Sequence, residues 1–386
     1  MMMPRIDDTL FRTALHYTSV ARIMQPLTTE RLKREFDPEC AERCLLLYQD
    51  DRLAEPQFSP FLRGIGRLRD VGISVRAVNA VKPVPERLLK TATTIMYQPC
   101  FGQYATLDVS AVEALRQASP NAWIVFCDWF APCDIRFAEG VEPYIDIYAK
   151  KSLLQDKASY VDDVQAHTNL MDFYSRFFAI DYPTRTWTTP AAILPKLRLT
   201  PSFSTSSQLY RRFQDDMPNF RPSDIDVHAR LQTKGSGWYG NMRQLAYERV
   251  SQMRKYKLAK DGMVSKSKYM DELARSHLCF SPFGYGELCW RDFEAFAVGA
   301  VLIKPDMSHL DVMGDVFRPG ETYLPVAWDL SDLDVVIDEA LSDRTRLQTI
   351  AVNAYNRVQD TLNFQSSLAY LKSLTRTVNV RTMVTN

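Results

Sequence analysis

Ser281-Pro-Phe-Gly-Tyr-Gly-Glu-Leu-Cys-Trp-Arg-Asp-Phe-Glu294, with the run Ala295-Phe-Ala-Val-Gly-Ala-Val-Leu-Ile303 behind it, decides how this chain folds. An apolar strand, Leu278-Cys-Phe-Ser281, breaks into a Gly-x-Gly turn, a helix opens, and a second buried strand follows at Ala300–Ile303. Strand, glycine turn, helix and strand in that order form a parallel βαβ unit. Glycines let main-chain N–H groups approach a phosphate closely, and a helix N-terminus adds partial positive charge. Arg291 and Glu294, three residues apart, share a helix face. A guanidinium there suits phosphate, and a carboxylate suits a ribose diol.

Working outward, the same alternation recurs. Strands are expected at Cys44–Tyr48, Ile73–Val78, Thr94–Tyr97, Trp123–Cys127 and Tyr144–Tyr148, with helices at Phe58–Arg69 and Ser110–Ala118 between them. A further helix is predicted at Thr29–Phe36 and another at Val164–Phe178. The Pro-, Ser- and Thr-rich stretch Pro195–Ser207 reads as a link. A second α/β unit starts with the strand Ile225–Leu231. It runs through the glycine-rich loop Gly235–Gly240, the helices Met242–Met253 and Lys268–Ser276, and the opening motif. Helices at Asp334–Leu341 and Arg344–Leu374 close the chain.

The residues of the opening motif resemble the donor-binding segment of GT-B glycosyltransferases, especially those with exostosin-like or group-1-like C-terminal domains. The shared positions are Gly284, Gly286, Arg291, Glu294, Ala295 and Gly299, and the likeness extends over roughly residues 222–320. Many retaining group-1 enzymes carry two Glu separated by seven residues. Counting back from Glu294 places Gly286, not Glu287, at the first position.

The resemblance implies an α/β, GT-B-like fold, with two Rossmann-like domains facing a central cleft and a C-terminal helix crossing back. The expected division is an acceptor domain at 1–200, a nucleotide-sugar domain at 201–345 and a helical segment at 346–386. It also implies sugar transfer from a nucleotide-sugar donor to a hydroxyl of a carbohydrate or glycolipid acceptor. No cofactor is expected beyond the nucleotide-sugar, which is a substrate. A nucleotide-sugar epimerase and a non-catalytic GT-like binding subunit stay open as alternatives.

Gly284, Tyr285, Gly286, Arg291 and Glu294 are the expected donor contacts. By position, Arg230, Lys234 and Arg243 join them from the loop after the first C-terminal-domain strand and the helix behind it. Fixed cations there stabilise the charge that a nucleotide diphosphate gains as it leaves. Glu287 meets sugar hydroxyls or caps the helix start, where a carboxylate is favoured. His228 lies near the carboxyl end of its strand, as a catalytic group or a core histidine. If the reaction inverts, an acceptor base is expected from the N-terminal domain, and Asp128, at a strand end, is the expected residue. It is equally placed to be a turn residue. Asp224-Ile-Asp226 has metal-motif spacing but leads into a strand, so a metal-independent reaction is expected.

Composition sets the bounds. The 386 residues are 46% hydrophobic and 24% charged, with a formal net charge of +1. That length favours two domains, and the balance argues against a general nucleic-acid binder, which needs a strongly basic face. Seven cysteines, an odd count without a Cys-x-x-Cys pair, read as buried free thiols. Without a signal-type segment at the start, the expected location is cytoplasmic, with peripheral membrane contact left open. Oligomeric state is not legible here.

Overall fold

The computed structural model describes residues 35–103, 107–161, 166–214, 223–260 and 262–376. The helix expected at Thr29–Phe36 lies outside them except for its last two residues. Among the described residues no helix is long and apolar enough to cross a membrane.

Two parallel sheets organise the chain. The first has six strands, β1 (Glu42–Tyr48), β2 (Ile73–Asn79), β3 (Thr94–Tyr97), β4 (Trp123–Asp128), β5 (Ile147–Lys150) and β7 (Leu197–Leu199), in the order β2-β1-β3-β4-β5-β7. The second has β8 (Ile225–His228), β9 (Leu258–Ala259), β10 (Ser276–Phe280), β11 (Val301–Pro305) and β13 (Leu324–Val326), in the order β13-β11-β10-β8-β9. Every neighbouring pair in both sheets is parallel. Apolar clusters cover both faces of each, as parallel sheets require. The fold is α/β with two Rossmann-like lobes, the GT-B arrangement expected.

Numbered by its own strands alone, each sheet runs 2-1-3-4-5, with one further strand in the first. That order reverses direction between the first and third strands, and ligands bind outside the carboxyl ends at such a switch point. In the second lobe this is the gap between β8 and β10, where His228 sits beside Cys279 in register.

Several expectations move when long-range packing is added. The helix Phe58–Arg69 is two helices, Glu55–Arg63 and Ile65–Asp70, parted at Gly64. Phe364 of the last helix presses against Gly64, within 3.3 Å of where a Cβ would stand. The closing helix is likewise two, Arg344–Thr361 and Phe364–Ser373. Residues 142–144 form a 3-10 turn, so the strand there starts only at Ile147. Leu197–Leu199, inside the expected link, is instead the edge strand of the first sheet.

Several features tie the lobes together, among them the helix Asn169–Phe177, whose Leu170, Met171 and Tyr174 are buried in one cluster with Trp238, Met242 and Phe283 of the second lobe. The helix Phe364–Ser373 crosses back and buries Leu368 and Leu371 with Phe58 and Phe61 of the first lobe. The strands β6 (Ser152–Leu154) and β12 (Leu310–Val312) pair antiparallel across the lobes. Lys157 and Asp311 extend that ribbon with an ion pair at 2.9 Å. Another tie is the Gly286 turn itself. A Cβ on Gly286 would stand 2.2 Å from the Ala131 carbonyl oxygen. Only a glycine fits there, because the lobes touch at that point. The same contact explains why a Glu does not stand in that place.

Candidate functional site

The switch point of the second sheet is laced by two arginines. Arg291, in the second position of the helix Trp290–Val298, donates from Nη1 to the Phe280 carbonyl at 3.2 Å and from Nη2 to the Arg230 carbonyl. It thereby joins the end of β10 to the segment leaving β8. Arg243, on the helix Gly237–Gln252, does the same one layer out. Its Nε donates to the Gln232 carbonyl at 2.9 Å and its Nη1 to the Phe283 carbonyl at 3.3 Å. Among the described residues neither guanidinium forms an ion pair with a carboxylate. Burial lowers the pKa of Arg243, Tyr239 opposes the shift, and the neighbouring charge of Arg291 adds to it. Two close cations without a carboxylate partner can hold an anion.

His228 closes the inner wall. It is fully buried, and neither ring nitrogen meets a hydrogen-bond partner. Its ring stands edge-on to Tyr269 at 4.9 Å. Burial first, then the Arg291 charge, pushes its pKa down to about 3. The imidazole is therefore neutral at neutral pH, able to donate at one nitrogen and accept at the other.

The remaining expected donor contacts divide. Arg230 is bound bidentately by Glu272, with Nε and Nη2 at 2.6 and 2.9 Å, so its charge is already neutralised. Lys234 stands exposed in the loop after β8. Gly284 makes the tight turn, its N–H donating to the Gly286 carbonyl at 3.0 Å. Tyr285 packs on Trp238 and Tyr239, with ring centroids 5.7 and 6.0 Å away. Glu294 is only 5% exposed and accepts a hydrogen bond from Lys266, whose own side chain is 51% exposed. The expected ribose carboxylate is thus near Tyr269 and Arg291, with a lysine laid over it.

Asp128 takes a different part from the expected base. Tyr148 Oη and Lys150 Nζ both donate to its Oδ2, at 2.6 and 2.7 Å, and the Phe130 N–H donates to Oδ1 at 3.0 Å. Both members of the Asp128–Lys150 pair are 1% exposed. This carboxylate is spent on fixing the end of β4 to β5. Glu287, by contrast, is wholly buried, and both of its oxygens lack a partner.

Sequence reading missed what holds the motif in shape. Asp292 accepts from the Ser281 hydroxyl at 2.6 Å, the Cys289 N–H at 2.9 Å and Lys304 Nζ at 3.2 Å. The Asp292–Lys304 pair is completely buried. Asp292 stands three residues after the Cys289 N-cap, which is the capping-box spacing and a signal that was present in the sequence. Lys304 gives no such signal; it stands in an otherwise apolar strand. Lys266 and Tyr269, which flank Glu294 and Arg291, were also missed, because their proximity depends on how the helix Lys266–Ala274 packs.

No family model matches the chain, and no curated protein matches it in sequence. Similar solved structures exist. An α-glucosyltransferase in complex with UDP and a 13-mer DNA is 8% identical, covers 86% of this chain and 98% of its own, and gives a TM-score of 0.45. A glycosyltransferase from Rickettsia africae is 10% identical, with 86% and 97% covered and a TM-score of 0.45. A sucrose-phosphate synthase from Thermosynechococcus elongatus is 13% identical, with 88% and 100% covered and a TM-score of 0.41.

Proposed function

We infer that the protein is a glycosyltransferase that holds the diphosphate of a nucleotide-sugar between Arg243 and Arg291 and passes the sugar to a hydroxyl of a carbohydrate or glycolipid. One observation carries this reading: two adjacent guanidiniums, bonded to main-chain carbonyls and paired with no carboxylate among the described residues, meet at the carboxyl ends of β8 and β10. As the anomeric C–O bond breaks, its electron pair passes to the diphosphate, and the charge grows where these cations already stand. A charge stabilised more in the transition state than in the substrate lowers the barrier. His228, neutral and unpartnered, would donate to a phosphate or sugar oxygen. Glu294 would take the ribose diol once Lys266 swings aside. Exostosin-like and group-1-like donor domains, which the sequence motif resembles, fit this arrangement of Arg and Glu.

A thermal-shift series with UDP, GDP, ADP, dTDP and CMP donors tests it. A ligand at a hundred times its dissociation constant adds about 2.7 kcal/mol of stability. At least one donor should raise the melting temperature of the wild type, and Arg243→Ala should abolish that rise while leaving the unliganded protein folded. Arg291→Lys, which keeps the charge but not the fork, should weaken it. No shift with any donor would end the proposal.

A further inference from the structure

The carboxylate at the ribose end of the donor site is covered by a single side chain. Glu294, nearly buried, pairs with Lys266, whose own side chain is half-exposed. Among the described residues Glu294 forms no ion pair with any other cation. Lys266 opens the helix Lys266–Ala274, whose N-cap Ser265 accepts from the Lys268 N–H at 3.3 Å. One turn on, Tyr269 stands edge-on to His228 at 4.9 Å. Further along, Glu272 takes both arms of Arg230. Arg230 Nη1 also donates to the Lys260 and Gly262 carbonyls, both at 3.3 Å, in the loop that leads into this helix.

The backbone beneath Lys266 is therefore fastened on both sides, and its side chain is the part free to move. The Nζ lies 4.8 Å over the Tyr269 ring and donates to Glu294 from the solvent side. An ammonium already half in water rehydrates as it leaves, so such a pair holds its closed form by up to about fivefold. Exposed side chains change rotamer within nanoseconds. The carboxylate is buried under the ammonium, so an incoming hydroxyl reaches it by displacing the lysine.

We propose that Lys266 is a latch on the donor site: it occupies Glu294 while the site is empty, and a vicinal diol must displace it to bind. The inference rests on the donor reading and adds the regulation of that same site. A carboxylate has two acceptor oxygens and a diol has two O–H donors, so the exchange replaces one ammonium with two hydroxyls. A ribose makes that exchange, and a 2′,3′-dideoxyribose does not. Donor and spent nucleoside diphosphate carry the same ribose, so the latch weakens both alike. It acts on binding and release and not on the chemical step. Where release limits turnover, a weaker hold on the spent nucleotide quickens the cycle.

Calorimetric titration tests this with UDP, GDP, ADP and CDP and their 2′,3′-dideoxy analogues, on wild type and Lys266→Met. The readout is the ratio of dissociation constants, dideoxy over ribo, in which the shared base and diphosphate cancel. That ratio should rise by about twofold to fivefold in Lys266→Met, the factor by which the pair kept the site closed. In a Glu294→Gln background the same substitution should leave it unchanged. Wild type alone gives a second measure: added KCl screens the half-exposed pair and should raise the ratio as well. An unchanged or lowered ratio in Lys266→Met, or a wild-type ratio that does not rise with salt, would overturn the latch while nucleotide binding stands. If none of the four ribonucleotides binds either protein, there is no ribose site and the latch falls; if dTDP fails as well, the donor reading falls with it.

Discussion

His228 shows how much one position reports on the site. Its folded pKa of about 3 lies well below the roughly 6.5 of an unfolded histidine. Between those values the unfolded chain binds the extra proton, so stability falls as pH drops from about 6.5 toward 3, by up to about 1.4 kcal/mol per unit. Above pH 6.5 the term is constant. His228→Phe should flatten that acid limb in denaturant titrations between pH 7 and pH 4; an unchanged slope would mean the ring is not held neutral. Asp292 has the opposite character, a buried charge fully compensated. Asp292→Ala strands Lys304 in the interior and should cost about 3–5 kcal/mol, read by urea unfolding.

Among elements, the glycine turn is the most exacting. Gly286→Ala puts a methyl group 2.2 Å from the Ala131 carbonyl, so either the turn or the lobes must move. A cost of about 1–3 kcal/mol is expected, together with a larger radius of gyration by small-angle scattering. Unchanged stability and dimensions would show that the contact is not tight in solution. This element also marks how far sequence reading reaches. Strands such as Thr94–Tyr97 and the helix Ser110–Ala118 were legible because apolar runs and local periodicity define them. The pattern Gly-x-Gly, Arg, Glu was legible for the same reason. What was hidden depends on distant partners. Arg291 reaches a carbonyl 61 residues away, and Asp128 is claimed by Lys150 from the next strand, so a free-looking carboxylate at a strand end became a fastener. Leu197–Leu199 looked like linker because three residues among prolines carry no periodicity; only pairing with β5 makes them a strand.

At the scale of the molecule, the lobes are coupled through the last helix. Leu371 is fully buried among first-lobe side chains, so Leu371→Ala should cost about 2–5 kcal/mol. Because that helix belongs in sequence to the second lobe, the loss should loosen the coupling and split one unfolding transition into two in calorimetry. A single transition, shifted as a whole, would mean the remaining contacts between the lobes suffice to hold them as one. The ribbon and that helix have a geometric corollary once the helix Asn169–Phe177 is added, whose Tyr174 Oη donates to the Trp328 carbonyl at 2.8 Å. A rigid body pinned at three places that do not share a line keeps no free rotation, so one lobe turns against the other only if one of these contacts is broken.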